Sequence, residues 1–249
     1  MKALILAAGY ATRLYPLTQN RPKPLLEVGG KAIIDYIIEK IDAISEVDTI
    51  YVVTNNRFYS SFKEWSFHKE KSIAIKIIND GTSTNEDRLG AVGDIHFVLN
   101  QEEIEDDLVV IAGDNLFGFS LSGFVHFFHE QDAGSVVAFR DLKDREKVRG
   151  KYGVRILEGS KVVGFEEKPL QPQSTLASTA CYLFNKQDLP LVEQSIKQGK
   201  ADNPGDLVRF LTTYSTVHGF VFTEHWFDIG SFESLEEAQS VYAKGVEQK

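Results

Sequence analysis

The sequence predicts an α/β fold, a three-layer sandwich around a central mixed, mostly parallel sheet. Two observations carry this expectation. In the first half of the chain, short apolar runs alternate with amphipathic stretches, the pattern of strand–helix units whose sheet is covered on both faces. The apolar runs also end in small or polar turn residues, as at Gly9 and at Gly113-Asp114-Asn115, where a buried strand meets the surface.

The elements follow in order. Ala3 to Ala8 is short, continuous and apolar and reads as a buried parallel strand. A polar, proline-punctuated loop runs from Gly9 to about Gly30. Ile33, Ile37 and Ile41 recur every four residues, as do Ile34 and Ile38, so a helix with one apolar face comes next. Thr49–Val53 is a strand, Phe58–Trp65 a short helix, Ile73–Ile78 a strand, Ala91–Leu99 a helix and Leu108–Ala112 a strand. In such sheets ligands bind beyond the carboxyl ends of the strands. The loops after Ala8, Ile78 and Ala112 are therefore the places to expect a site.

The second half reads as more mixed. Strands are expected at Ala133–Phe139, Gly153–Leu157, Val162–Phe165, Ala180–Phe184 and Val217–Thr223, and helices at Gln187–Lys197 and Gly205–Thr213. Asp141 to Lys151 reads as a mobile surface loop. Ser234 to about Ala243 reads as a terminal helix with Ser234 as N-cap and Glu237 completing a capping box. No repeat, low-complexity tract or long linker divides the chain, so residues 1–249 are expected to form one domain.

Composition narrows the function classes. The 249 residues are 43% hydrophobic and carry a net charge of −9, with a pI near 5.2. That balance argues against a general nucleic-acid binder. A single cysteine, Cys181, cannot form an internal disulfide and points to a reducing, cytoplasmic setting. No apolar run approaches membrane length, and the run before Gly9 is too short for a signal-peptide core. The six histidines show no metal-ligand spacing. His126 and His129, three apart on a helical stretch, are ordinarily a solvated face.

The most informative string is Leu6-Ala7-Ala8-Gly9-Tyr10-Ala11-Thr12-Arg13-Leu14-Tyr15-Pro16-Leu17-Thr18, with Arg21-Pro22-Lys23-Pro24-Leu25 after it. Small residues after a strand let backbone N–H groups approach a phosphate closely. Arg13 supplies a planar fork and Lys23 a point charge, both suited to a polyphosphate. A lone arginine in a loop is usually a solvated cation. A small-residue turn, two cations and prolines together are not that ordinary pattern.

This string resembles the signature of the nucleotidyltransferases that activate sugar 1-phosphates, such as the glucose-1-phosphate thymidylyl- and uridylyltransferases. The resemblance extends over nearly the whole chain. Gly113-Asp114-Asn115 is similar to the family's metal-binding turn. Tyr152-Gly153-Val154 and Glu167-Lys168-Pro169 are similar to its sugar-site segments, and Trp226-Phe227-Asp228-Ile229-Gly230 to its late aspartate turn. The resemblance implies a Rossmann-like, GT-A-like sheet, with nucleotide in residues 1–118 and sugar phosphate in 119–249. It further implies Mg²⁺ on Asp114 and Asp228, and catalytic charge from Arg13, Lys23 and Lys168. Ala8, Gly9, Tyr10, Ala11 and Thr12 would cradle the nucleotide. Gly153, Glu167, Lys168 and Thr179 would meet the sugar phosphate. The implied partners are a nucleoside triphosphate and a sugar 1-phosphate, best glucose 1-phosphate. No nucleic acid or membrane is implied, and the chain would be a monomer or small homo-oligomer.

Each residue also has an ordinary reading. Gly-Asp-Asn favours turns by itself, an exposed Glu167-Lys168 pair stabilises little, and Gly153 suits a strand bulge. The segment from Asn79 to Ala91 resembles the family's base-reading loop only loosely. In it Gly90 would open backbone groups to the base, and Asn85 or Arg88 would read its edge. Ala11 stands where the signature usually has a second glycine, and alanine resists positive φ.

Three other readings stay open. A cytidylyltransferase would use phosphocholine or inositol phosphate as acceptor. A glycosyltransferase would use a finished nucleotide sugar and leave Arg13 and Lys23 unexplained. A non-catalytic nucleotide sensor would bind without turnover.

Overall fold

The computed structural model describes residues 1–68, 73–166, 168–199 and 202–246. Strands β1 (Lys2–Leu6), β4 (Thr49–Thr54), β5 (Ala74–Asn79) and β6 (Leu108–Ala112) alternate with helices α1 (Ile33–Asp42), α2 (Tyr59–Phe67) and α3 (Ala91–Gln101). Between β1 and α1 lie two 3-10 turns, Thr12–Leu14 and Lys23–Leu25, and a small hairpin of β2 (Glu27–Val28) and β3 (Lys31–Ala32). β7 (Asn115–Phe117) and α4 (Leu121–His129) follow β6. The second half holds β8 (Ser135–Asp141), α5 (Arg145–Val148), β9 (Val154–Glu158), β10 (Lys161–Glu166) and β11 (Leu176–Phe184). It ends with α6 (Pro190–Lys197), α7 (Pro204–Tyr214), β12 (Val217–Phe222), β13 (Trp226–Asp228) and α8 (Phe232–Val246).

One nine-stranded sheet runs through both halves in the order β5-β4-β1-β6-β11-β8-β12-β10-β9. Parallel pairing joins β5, β4, β1 and β6, and also β12 and β8. Every other pairing is antiparallel. The expected mostly parallel sheet is thus corrected: the first half is parallel as its strand–helix alternation predicts, and the second half is not. There, consecutive strands such as β9 and β10 join through a tight turn at Gly159 (φ +60°), which permits only antiparallel neighbours. A short bridge from β9 back to β11 closes β11, β8, β12, β10 and β9 into a ring.

Strand side chains alternate between two cores. Ala3, Ile5, Ile50, Val52, Val109 and Ile111 face α1, α2 and α4. Leu4, Tyr51, Val53, Leu108 and Val110 face α3, α6 and α7. Helices therefore cover both faces of the parallel part. A third cluster joins Leu14, Leu26, Val28 and Ile33 to Leu116, Ile229 and Ala238, so the late segment from β13 to α8 packs on the first loop. The stretch expected as a loop at Asp141 to Lys151 contains α5, capped by Asp144 Oδ1 on Glu146 N (2.9 Å). Cys181 is buried, and burial pushes its thiol pKa up. Among the described residues no helix is long and apolar enough to cross a membrane.

Candidate active site

The carboxyl ends of β1 and β6 bring the first loop and the Asp114 turn together. Gly113 N donates to Leu6 O (2.8 Å), and a Cβ at Gly113 would lie 2.9 Å from that oxygen and 3.0 Å from Pro24 Cγ. Only glycine allows this approach, which sets Lys23 beside Asp114. Lys23 Nζ donates to Asp114 Oδ2 at 2.5 Å. Asn115 Nδ2 donates to Asp114 Oδ1 (2.8 Å), and Trp226 Nε1 donates to Asn115 Oδ1 (2.6 Å). Asn115 is buried, so this chain of hydrogen bonds locks the turn.

The second carboxylate arrives by strand pairing. β13 lies antiparallel to β7 with Asp228 opposite Asn115, and Ile229 N donates to Asp114 O (3.0 Å). The two carboxylates are thereby neighbours although far apart in sequence. Burial acts to raise the Asp114 pKa, but the Lys23 ammonium and then the Asn115 amide more than offset it, leaving Asp114 below the usual carboxylate value. For Asp228, which opens to the cleft, desolvation by the surrounding walls and then the charge of Asp114 push the pKa up to about 6. Lys23, Arg13 and Lys168 pull the other way. All three expected catalytic cations and both expected metal carboxylates thus act on one point.

Next to Asp228 opens a cleft of about 490 Å³, lined by Arg13, Lys151, Tyr152, Gly153 and Lys168 among others. Arg13, Lys151 and Lys168 make no ion pair or hydrogen bond with their side chains among the described residues. Three cations without a hydrogen-bonded partner, on a concave wall that also holds Asp228 and Asp202, suit an anionic ligand bearing phosphate. Tyr152 packs on Trp226 (centroids 5.1 Å), joining the cleft wall to the Asp114 network. Gly230 packs on Arg13, whose Nη2 would lie 3.3 Å from a Cβ there.

Of the first loop, Gly9 is open, since a Cβ would meet nothing within 4 Å. Thr12 is exposed, whereas Ala8 and Tyr10 are buried. Asn55 Nδ2 holds the Ala8 carbonyl (2.7 Å), and the Tyr10 hydroxyl reaches Thr82 Oγ1 (3.4 Å). Ala11 takes the left-handed conformation (φ 49°, ψ 39°), with its carbonyl accepting from Thr18 Oγ1 (2.7 Å). In the other loop, Gly90 has φ 78° at the start of α3, a value glycine alone adopts freely. Asn85 is exposed. Arg88 is engaged, donating to Asp202 Oδ2 (3.0 Å) and Asn85 O (3.1 Å).

Two sugar-site expectations need comment. Thr179 is corrected: it is 2% exposed and its hydroxyl donates to Ala138 O (2.8 Å). The register of β11 shifts between Ser178 and Tyr182, with Ala180 at φ 52°. That bulge turns Thr179 inward and gives the cleft Ser178, Ala180 and Tyr182 instead. Glu167 lies outside the described residues. Sequence reasoning missed Lys151, whose lone charge carries no motif, and the Asp202–Gly205 stretch that closes the cleft at the start of α7.

As a cation site, the Asp114–Asp228 pair offers two carboxylates, which with phosphate oxygens and water is a common Mg²⁺ donor set. Desolvation and then the charge of Asp114 disfavour the ionised Asp228, and a cation would relieve both. Asp114 Oδ2 already holds Lys23, but a carboxylate oxygen accepts more than one partner. Among the described residues no group of three or more His, Cys, Asp or Glu could hold a metal.

Comparison with known proteins gives the family. The family model for nucleotidyl transferases matches residues 2–245. A protein of Sulfolobus acidocaldarius, provisionally named a mannose-1-phosphate guanyltransferase, is 28% identical over 233 residues, 92% of this chain and 60% of that protein. The bifunctional protein GlmU of Methanocaldococcus jannaschii is 30% identical over 240 residues, 96% of this chain and 53% of its own length. The chain therefore spans only about half to three fifths of these relatives. A solved UDP-glucose pyrophosphorylase with UDP-glucose superimposes with a TM-score of 0.81 at 22% identity, covering 98% of both chains; that likeness is one of fold. With the family model matched along nearly its whole length, the chain belongs to the nucleotidyl transferase family.

Proposed function

We propose that the protein transfers a nucleotidyl group from a nucleoside triphosphate to a sugar 1-phosphate, best glucose 1-phosphate, releasing pyrophosphate. The observation that carries this reading is the convergence of Arg13, Lys23 and Lys168 on the Asp114–Asp228 pair beside an open cationic cleft. Residues 1–118 take the triphosphate and 119–249 the sugar phosphate. The reaction belongs in the cytoplasm, where nucleoside triphosphates are supplied.

An oxygen of the sugar phosphate attacks the α-phosphorus in line. The new P–O bond forms as the bond to the β-phosphate oxygen breaks, and the electron pair leaves with pyrophosphate. The nucleophile is already anionic, so no general base and no covalent intermediate are needed. Positioning and charge neutralisation do the catalysis. Arg13 neutralises the departing pyrophosphate. Lys23 and Lys168 bracket the α-phosphate and the sugar phosphate, and Lys151 adds charge to the sugar-phosphate side. Asp114 and Asp228 would hold Mg²⁺, which would supply further neutralisation of the phosphates. Gly9 leaves room for phosphate at the turn, and Gly90 exposes backbone groups to the base.

The test is pyrophosphate release with Mg²⁺ across dTTP, UTP, CTP, ATP and GTP. The acceptors are the phosphates of glucose, mannose, N-acetylglucosamine and inositol, together with phosphocholine. Release that requires one triphosphate and one sugar 1-phosphate supports the proposal. Release with phosphocholine or inositol phosphate alone replaces the acceptor. Silence from folded protein that binds nucleotide sinks the proposal in favour of a sensor or glycosyltransferase.

A further inference from the structure

Away from the cleft, two carboxylates meet in the interior. Asp80 follows the last residue of β5 and Asp94 lies in the first turn of α3, and they are 7% and 6% exposed. Asp80 Oδ1 accepts from Thr82 N (2.7 Å) and Thr82 Oγ1 (2.8 Å). Its other oxygen, Oδ2, and Asp94 Oδ1 are shielded from solvent without a hydrogen-bond partner. The two side chains are within hydrogen-bonding reach of each other. Two ionised carboxylates are acceptors only and would repel each other in a site that already penalises charge. One proton between them satisfies both bare oxygens, as in other carboxyl dyads.

We infer that Asp80 and Asp94 share a single proton, and that this acid–carboxylate pair positions the loop of residues 81–90 and the glycine start of α3 for the nucleotide. The inference rests on the proposed base-facing role of that loop. The loop leaves β5 at Asp80 and re-enters at Gly90, whose carbonyl accepts from Asp94 N (2.8 Å). The shared proton therefore pins its two ends to each other. Between them, the Asp87 carboxylate holds Ser83 N (3.1 Å) and Thr84 N (2.8 Å).

The electrostatic surroundings agree. Desolvation and then the charge of Asp80 push the Asp94 pKa up to about 8. Desolvation raises Asp80 too, with Asp87 adding to it from the loop. The Tyr10 phenol faces the pair through Thr82. α6 and α7 pack against α3, but their charged Glu193, Lys197, Asp206 and Arg209 are not among the groups that shift Asp94. Of the strands against α3, β1 brings Lys2, paired with Asp48, and β4 brings Tyr51, which lies under Lys76.

The test compares the wild type with Asp94→Asn, whose amide can donate to Asp80, and Asp94→Ala, which cannot. Carboxyl carbons of the nucleotide-free protein are titrated by NMR between about pH 6.5 and 9.5. The triphosphate KM is measured over the same range by pyrophosphate release, or its Kd by calorimetry with the five triphosphates if none turns over. One carboxyl proton leaving the free protein near pH 8 is expected. Nucleotide affinity should then fall by up to about tenfold per pH unit above it. Asp94→Asn should flatten that limb, and Asp94→Ala should weaken binding at every pH. Absence of any such titration in the free protein overturns the shared proton, whatever the enzyme does. Titration with flat nucleotide affinity overturns the positioning role.

Discussion

Lys23 and Asp114 stand 91 positions apart in the chain and 2.5 Å apart in space. Both are largely shielded, with side chains 14% and 26% exposed. Lys23→Met should therefore act twice. It removes a charge proposed to face phosphate, and it leaves Asp114 beside Asp228 without its strongest partner. Unfolding free energy should fall by about 1–3 kcal/mol and turnover by about a hundredfold or more. Denaturant titration and pyrophosphate release measure the two effects separately.

Arg13 should separate them. Its guanidinium has no ion-pair partner among the described residues, so Arg13→Ala should keep its stability within about 0.5 kcal/mol. Turnover should fall by about a hundredfold or more. Undiminished turnover would remove Arg13 from the reaction.

Ala11 holds a left-handed conformation that costs an L-residue roughly 1 kcal/mol. Ala11→Gly removes that cost while making the unfolded chain more flexible. The balance should stabilise the protein by about 0.5 kcal/mol, a rise of about 1–2 °C in Tm. Ala11→Val should destabilise it, and calorimetry distinguishes the two outcomes.

Asp228 should shape the acid side of activity. Its carboxyl pKa of about 6 means that acid protonates the group proposed to hold Mg²⁺. Initial rates at limiting Mg²⁺ should fall below about pH 6, and saturating Mg²⁺ should move that limb to lower pH. Stability runs the other way. The folded pKa lies above the ordinary 3.8, so the folded state binds more protons between the two values. Its contribution to stability therefore declines as pH rises through that window. An acid limb indifferent to Mg²⁺ would contradict the assignment.

Thr179→Val should leave the sugar-phosphate KM unchanged. It removes a buried hydroxyl bonded to Ala138 O, and should cost about 1 kcal/mol of stability. A rise in sugar-phosphate KM without loss of stability would return Thr179 to the cleft.

The sequence shows its parallel half well. Leu108–Ala112 is a strand to the residue, and the isoleucine repeat from Ile33 to Ile41 marks α1, because burial on one or both faces writes a periodic pattern. The three-residue strands β7 and β13 carry no such pattern, yet their pairing brings Asp228 to Asp114. At α8, Ser234 resembles an N-cap in sequence, but the helix begins at Phe232. Ser231 Oγ accepts from Ser234 N (3.3 Å), and Ser234 Oγ accepts from Gly230 N and Ser231 N (3.1 Å each). The first loop is legible as a candidate site because its small residues, cations and prolines lie together in sequence. The place of Thr179 is not, because a bulge that reverses one side chain depends on β8, which no local pattern reports.

The bridge that brings β9 back onto β11 makes the two ends of the main sheet unlike. At one end β9 returns to β11 through the single pair Val154–Ala177, so the start of β9 is covered. At the other end lies β5, which pairs with β4 alone among the described residues. That rim is short, Ala74–Asn79, and half-exposed Lys76 stands on it, tied to Glu102 at 2.9 Å. A charged lysine on an edge strand discourages edge-to-edge stacking. Edge-to-edge stacking of the folded protein is thus hindered at β9 by the return to β11 and at β5 by the charge of Lys76.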